Sequence, residues 1–217
     1  MKSSLIIVLG GLLAVMSLTQ CKKEEGKYAI QGKITHARTG APLSGAAVNL
    51  QKKVVGGSVF NAAYTTAANA TTGSDGQFAM DFQRENFAGL KLVAHYSQFI
   101  SREQELNVGS FSVGSTYNQS LSLYPEAFID VHFQHTALEA PSDRIRFTFL
   151  NAQFDCICCS EGYKEFTGIV DTLTQCKLYG DQWLKYRVIF TKAEQDSTVV
   201  DSVYCPAFQT TPLHIVY

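Results

Sequence analysis

The chain reads as an all-β protein built from two β-sandwiches. Apolar residues recur at alternate positions, as in Ile145, Phe147 and Phe149 against Arg144 and Arg146, which places one face of a strand inward and the other in water. Turn chemistry interrupts these runs at intervals of roughly ten residues. Beyond residue 20, no stretch of about 12 residues or more carries a helical period.

Taken in order, Tyr28 to Thr35 opens the series, with Tyr28 and Ile30 set against Gln31 and Lys33. Ala47 to Leu50, Gly76 to Phe82, Leu90 to Tyr96 and Tyr117 to Tyr124 are the next strands. Thr39-Gly40-Ala41-Pro42, Ser74-Asp75-Gly76 and Asn86-Phe87-Ala88-Gly89 supply turns between them. Pro125 punctuates the chain and marks the boundary between residues 28–124 and 125–217. The second series holds Phe128 to Phe133, Arg144 to Phe149, Asp196 to Tyr204 and His214 to Tyr217. It also holds the run in which Leu184, Tyr186, Val188 and Phe190 alternate with Trp183, Lys185 and Arg187. Each half has about 95 residues, a size at which a single core is only modestly stable.

Ahead of the strands lies a segment of different character. Lys2 precedes an apolar run from Leu5 to Val15, and Leu18-Thr19-Gln20-Cys21 follows. As a helix the run reaches about 16 Å, roughly half the hydrocarbon thickness of a bilayer, so it reads as a signal peptide rather than a span. The arrangement resembles a bacterial lipoprotein signal. That resemblance implies removal of residues 1–20, lipidation of Cys21 and a tether over residues 21–27. The body is then held at the outer membrane, on the cell surface or facing the periplasm. Lys22-Lys23-Glu24-Glu25 suits a solvated tether, because charges beside an anchor stay out of the bilayer core. Acidic residues just after the lipidated cysteine also resemble a surface-display signal of some Gram-negative bacteria.

Composition narrows the function classes. The formal net charge is −1, and no Lys/Arg cluster follows the tether, which argues against nucleic-acid binding. A hydrophobic content of 46%, with 14 Phe and 10 Tyr, supplies packed cores rather than disorder.

Gly32-Lys33-Ile34, then Thr39-Gly40-Ala41-Pro42-Leu43-Ser44-Gly45-Ala46-Ala47-Val48, then Thr72-Gly73-Ser74-Asp75-Gly76-Gln77-Phe78 form a recognisable set. On these residues, 28–124 resembles the carboxypeptidase regulatory-like domain, a transthyretin-like (Ig-like) β-sandwich. The resemblance implies a first strand reversed at Gly40-Ala41-Pro42 and an Asp75-Gly76 hairpin closing a later strand pair. It implies a binding or spacer module and no peptidase activity. The turn chemistry agrees: Pro42 fixes φ, Gly40 and Gly45 admit turn geometry, and Asp-Gly favours a hairpin.

The remaining chemistry centres on cysteine. Cys156, Cys158, Cys159, Cys176 and Cys205 all lie in the second half. In an exported protein they read as disulfide candidates, one of the triplet pairing with Cys176 and another with Cys205. A bridge such as Cys159 to Cys176, closing about 17 residues, stabilises by roughly 3 kcal/mol in the chain-entropy model. The rival reading is a metal or redox site on the same five thiols, although Cys-x-Cys-Cys does not match the usual zinc spacing. His132 and His135 fall on opposite faces of a strand and do not share a metal. Asp75 reads as a turn residue rather than a calcium ligand. Glu103/Glu105 and Asp196/Asp201 read as surface carboxylates. Of Tyr96, Phe99, Phe111, Tyr117 and Trp183, core packing accounts for all but Trp183, which lies opposite the apolar face of its strand and is the candidate ligand contact. No nucleophile elbow, phosphate loop or zinc-peptidase motif is present.

These readings converge on a non-enzymatic outer-membrane lipoprotein without cofactor or resident metal. It is anchored to the membrane through lipid and binds a glycan, a peptide or another envelope protein. The alternatives are the cysteine-based metal or redox protein and a small envelope hydrolase.

Overall fold

The computed structural model of the chain describes residues 26–56, 59–60, 63–135, 140–151 and 162–217. The protein is all-β: sixteen strands are interrupted, among the described residues, by one 3-10 turn at Val108–Ser110. No helix among these residues is long and apolar enough to cross a membrane.

Nine strands form a first group: β1 (Lys27–His36), β2 (Ala47–Gly56), β3 (Val59–Phe60), β4 (Thr65–Thr71), β5 (Gln77–Gln83), β6 (Phe87–His95), β7 (Arg102–Leu106), β8 (Thr116–Asn118) and β9 (Leu121–Leu123). One sheet runs β5-β1-β8, with β9 also on β1; the other runs β3-β2-β6-β7, with β4 on β2. Ile30, Ile34, Phe78, Met80 and Phe82 of the first sheet meet Val48, Leu50, Leu90, Leu92 and Ala94 of the second in one core. Alternation dictates this: β5 buries every second residue, Phe78, Met80 and Phe82, and exposes the rest.

Seven strands form a second group: β10 (Glu126–His135), β11 (Arg144–Phe149), β12 (Lys164–Thr167), β13 (Val170–Tyr179), β14 (Gln182–Lys192), β15 (Gln195–Cys205) and β16 (Thr210–Val216). Their sheets run β13-β10-β16 and β12-β11-β14-β15. Ile129, Val131, Phe133 and Leu178 of one pack with Ile145, Phe147, Leu184 and Val188 of the other in a separate core.

Several expected elements take a different form. Phe87-Ala88-Gly89 is not a turn but the start of β6, beside a register shift at Lys53/Val54 of β2; Gly89 leaves room for the Tyr64 ring. Asp75-Gly76 does not close a strand pair. It is a corner that carries the chain from β4 in one sheet to β5 in the other. Gly76 has φ +75°, and a Cβ there would lie 2.6 Å from the Ile34 carbonyl oxygen, so glycine is required. The expected strand over Tyr117 to Tyr124 divides into β8 and β9, both parallel to β1. Between them the chain presses so close to β1 that a Cβ on Gly32 would lie 1.8 Å from the Gln119 carbonyl oxygen. Sequence patterning missed β3, β4, β7, β12 and β13. In β13 the signal is masked because Leu173 points outward, 61% exposed, while Cys176 and Leu178 point in.

Candidate binding face at the second sandwich

The functional candidates come together around the turn between β13 and β14. Trp183 lies on the outer face of β14, because Leu184, Tyr186 and Val188 occupy the inner one. It is 62% exposed. Directly opposite in register on β15 stands Tyr204, also exposed, with the two ring centroids 5.5 Å apart. This is the geometry of a cross-strand aromatic pair, displayed to solvent rather than to a core.

Local bonds fix the pair. Asn151, just after β11, donates from Nδ2 to the Trp183 carbonyl at 3.1 Å and accepts from the Lys185 N–H at 2.7 Å. Asp181, held at φ +55°, accepts from the Tyr204 hydroxyl at 3.3 Å and from the Ala207 N–H at 2.9 Å. Desolvation, and then the Asp181 carboxylate, push the Tyr204 phenol above its usual value, while Arg38 pulls it down. Tyr204 is therefore a neutral hydrogen-bonding group at physiological pH.

Arg38 belongs to the turn after β1, so this face reaches the joint between the two groups of strands. The Arg38 guanidinium sits over the Tyr124 ring, 5.2 Å from its centroid, and Tyr124 stacks on Tyr179 at 4.6 Å and 10°. One backbone bond crosses the joint, Glu126 N–H to the Gln98 carbonyl at 2.9 Å, and on the second side Gly180 N–H donates to the Pro125 carbonyl and Phe208 N–H to the Glu126 carbonyl, both at 2.7 Å. Gly180 packs so tightly that a Cβ would lie 2.7 Å from Ala207 Cα. A cavity of about 310 Å³ opens beside the stacked tyrosines, lined also by Ile100, Ser101, Arg102 and Ser122. That is the small end of the range for ligand clefts, roughly 300–1,000 Å³. Rings, hydroxyls and guanidinium groups together offer stacking and hydrogen-bonding contacts on one face.

The other sequence candidates are placed as follows. Cys21, Cys156, Cys158 and Cys159 lie outside the described residues. Cys176 is disulfide-bonded, with a partner that is not among the described residues. The expected bridge to Cys205 does not form: Cys205 is a free thiol, fully buried at the end of β15, and burial pushes it up away from the thiolate. Its side chain serves as a small apolar member of the second core. Asp75 accepts from the Gln77 N–H at 3.0 Å, the bond of a turn residue. Phe99 and Phe111 are buried, Tyr96 packs on Phe99, and Tyr117 stacks on Phe111. Glu105 accepts from the Tyr64 hydroxyl, Glu103 pairs with Lys91, and Asp196 pairs with Arg146. Asp201 accepts from its neighbour Ser202 N–H and stands near the Tyr186 hydroxyl. His132 faces outward and His135 is buried, its Nδ1 2.9 Å from the Gly168 carbonyl oxygen. Among the described residues no group of three or more His, Cys, Asp or Glu side chains is placed to hold a metal ion.

Sequence reasoning missed Tyr204, Asp181, Arg38, Tyr124 and Tyr179. The available signal was Tyr204 at the end of a strand that could pair with Trp183, but its register depends on the whole β14–β15 hairpin.

No family model matches the chain, and no curated protein matches it. Solved structures overlap it in part. The Bacillus anthracis TIE protein is 7% identical over 88% of this chain and 34% of its own, with a TM-score of 0.36. The chain thus spans about a third of that protein's length. GBS52, the minor pilin of Streptococcus agalactiae, is 9% identical over 87% of this chain and 94% of its own, at 0.32. The shaft pilin SpaA of Lactobacillus rhamnosus GG is 8% identical over 88% and 97%, at 0.35. Likeness at this level carries no functional assignment.

Proposed function

We propose that the protein is a non-enzymatic binding or assembly module of the bacterial cell envelope, and that the Trp183/Tyr204 face is its contact surface. The observation that carries this reading is the exposed cross-strand aromatic pair, fixed from below by Asn151 and Asp181. A fixed aromatic pair in water is a ready stacking surface, and the joint beside it adds Arg38 and the cavity. The ligand class is a glycan, or a peptide with a planar or apolar side chain.

The address is part of the proposal. Residues 1–20 are removed, Cys21 is lipidated, and residues 21–27 tether a body whose first half is a carboxypeptidase regulatory-like module. Intact mass of membrane-derived protein checks it: a mature N-terminus at Cys21 with added acyl mass is expected.

Trp183 is the chain's single tryptophan, so its emission reports on this face. Titration with cell-wall oligosaccharides and with peptides is expected to give a saturable change that Tyr204→Ala removes. Turnover of an added glycan or peptide would instead install the hydrolase reading. Five free thiols with bound metal would install the cysteine-site reading.

A further inference from the structure

The outer face of the β13-β10-β16 sheet carries a second arrangement that the aromatic face does not use. Strands β10 and β16 run parallel with His132 directly opposite His214. Inner positions Val131, Phe133, Leu213 and Ile215 belong to the core, so both histidines are turned out to solvent. Their ring centroids are 5.3 Å apart and their planes meet at 73°. On the other side of β10, Asp171 of β13 approaches His132, with Oδ1 2.6 Å from Nε2.

That short contact decides the tautomer. A carboxylate only accepts, so Nε2 of His132 carries a proton, and Nδ1 is the nitrogen left to donate to a metal. A histidine whose distal N–H is held by a carboxylate, leaving its other nitrogen to donate, is the arrangement used to orient metal-bound imidazoles. His214, exposed beside it, has a ring able to turn about χ2. The neighbouring carboxylate on the same face, Asp130, is engaged by Gln175 Nε2 at 2.8 Å.

We propose that His132 and His214 form a binding site for one borderline divalent transition-metal cation of the zinc, nickel or copper class. His132 Nδ1 and a His214 ring nitrogen are the ligands, and Asp171 is the positioning residue for His132. Two imidazoles select such an ion over calcium or magnesium, which require oxygen donors. Two protein ligands leave the remaining positions of a tetrahedral ion to water or to a donor from a bound partner.

The test is titration of the full mature chain, disulfide intact, with Zn²⁺ or Ni²⁺ by calorimetry, alongside NMR of the imidazole resonances. One ion per chain is expected, with the His132 and His214 signals moving together and no response to Mg²⁺. His214→Ala and His132→Ala are each expected to remove this event. Asp171→Ala is expected to weaken it about 10- to 100-fold, the usual effect of losing the group that orients a ligating histidine. His95→Ala, which alters a histidine bonded to Ser101, leaves it unchanged. Acidification abolishes binding, because protonated imidazoles have no lone pair to donate. Binding that survives both His132→Ala and His214→Ala would overturn the proposal and assign the ion to the cysteines. Absence of binding in the wild-type chain would overturn it outright. Neither outcome alters the Trp183 titration, so the two readings stand or fall separately.

Discussion

In the first group of strands, Tyr28, Phe82, Phe87 and Phe111 close on one another with ring centroids 5.5 to 6.2 Å apart, and Tyr117 stacks on Phe111. In the second, Phe133 and Phe147 do the same inside, yet Trp183 and Tyr204 meet outside, and Val199 and Val200 are each 47% exposed. Strand β15 carries this difference: its residues from Gln195 to Ser202 are all exposed. An edge strand that displays apolar side chains departs from the usual protection of sheet edges. The first half thus uses its aromatic residues for stability, while the second keeps part of its apolar surface in water.

The largest effects should test whether the two cores are independent. Phe147→Ala and Phe82→Ala, both nearly fully buried, are each expected to cost about 3–5 kcal/mol. In denaturant titrations Trp183 emission should follow Phe147→Ala and ignore Phe82→Ala, whose effect should appear only in a probe of the first half. Equal movement of the Trp183 transition in both variants would show that the halves unfold as one unit and break the comparison. Reduction of the Cys176 disulfide should cost the second half about 2–5 kcal/mol, read by the same emission with and without reductant. Gly32→Ala should cost the first half about 1–3 kcal/mol, because the Gln119 backbone must move; circular dichroism melts would measure it.

Smaller effects sharpen the contrast on the second half's surface. The Thr191 hydroxyl is the largest influence and holds the Asp196 carboxyl below the usual carboxylate range; desolvation opposes it, and Arg146 and then Arg144 add to the lowering. Ionised Asp196 therefore adds stability that is fully present above the unfolded-chain value of about 3.9 and is lost as pH falls through the lowered folded value. Melting temperatures of wild type and Asp196→Asn should differ near neutrality and converge in acid. A gap that persists unchanged in acid would remove this account. Least of all should stability respond to Trp183→Ala, within about 0.5 kcal/mol, while ligand binding measured by calorimetry is lost. A large loss of stability would instead make the aromatic pair a structural element.

The strand faces were legible because side-chain direction repeats every two residues. Ile145, Phe147, Leu184, Tyr186 and Val188 could be assigned inward, and Trp183 outward, from the pattern alone. Cys205 was misread because a cysteine looks the same in sequence whether it bridges or fills a core. Asp75-Gly76 was misread because the same dipeptide suits a hairpin and a corner between sheets. The β14–β15 hairpin turns at Ala193 and Glu194, with φ +46° and +67°, a conformation usually given to Asn-Gly. It is held there by the buried Asp143 carboxylate, 50 residues earlier in the chain, which accepts from the Ala193 N–H at 3.0 Å.

By itself, the sequence determined that the chain forms strands, which of their faces are apolar, and that its start differs in kind from its body. These properties depend on neighbours one or two residues away. Only the tertiary structure decided that β8 and β9 both join β1, that Tyr204 stands beside Trp183, that Arg38 crosses to Tyr124, and that His132 meets His214. Those pairings join residues far apart in the chain. Their register follows from loop closure and from the fit of two whole cores, quantities that no local pattern contains.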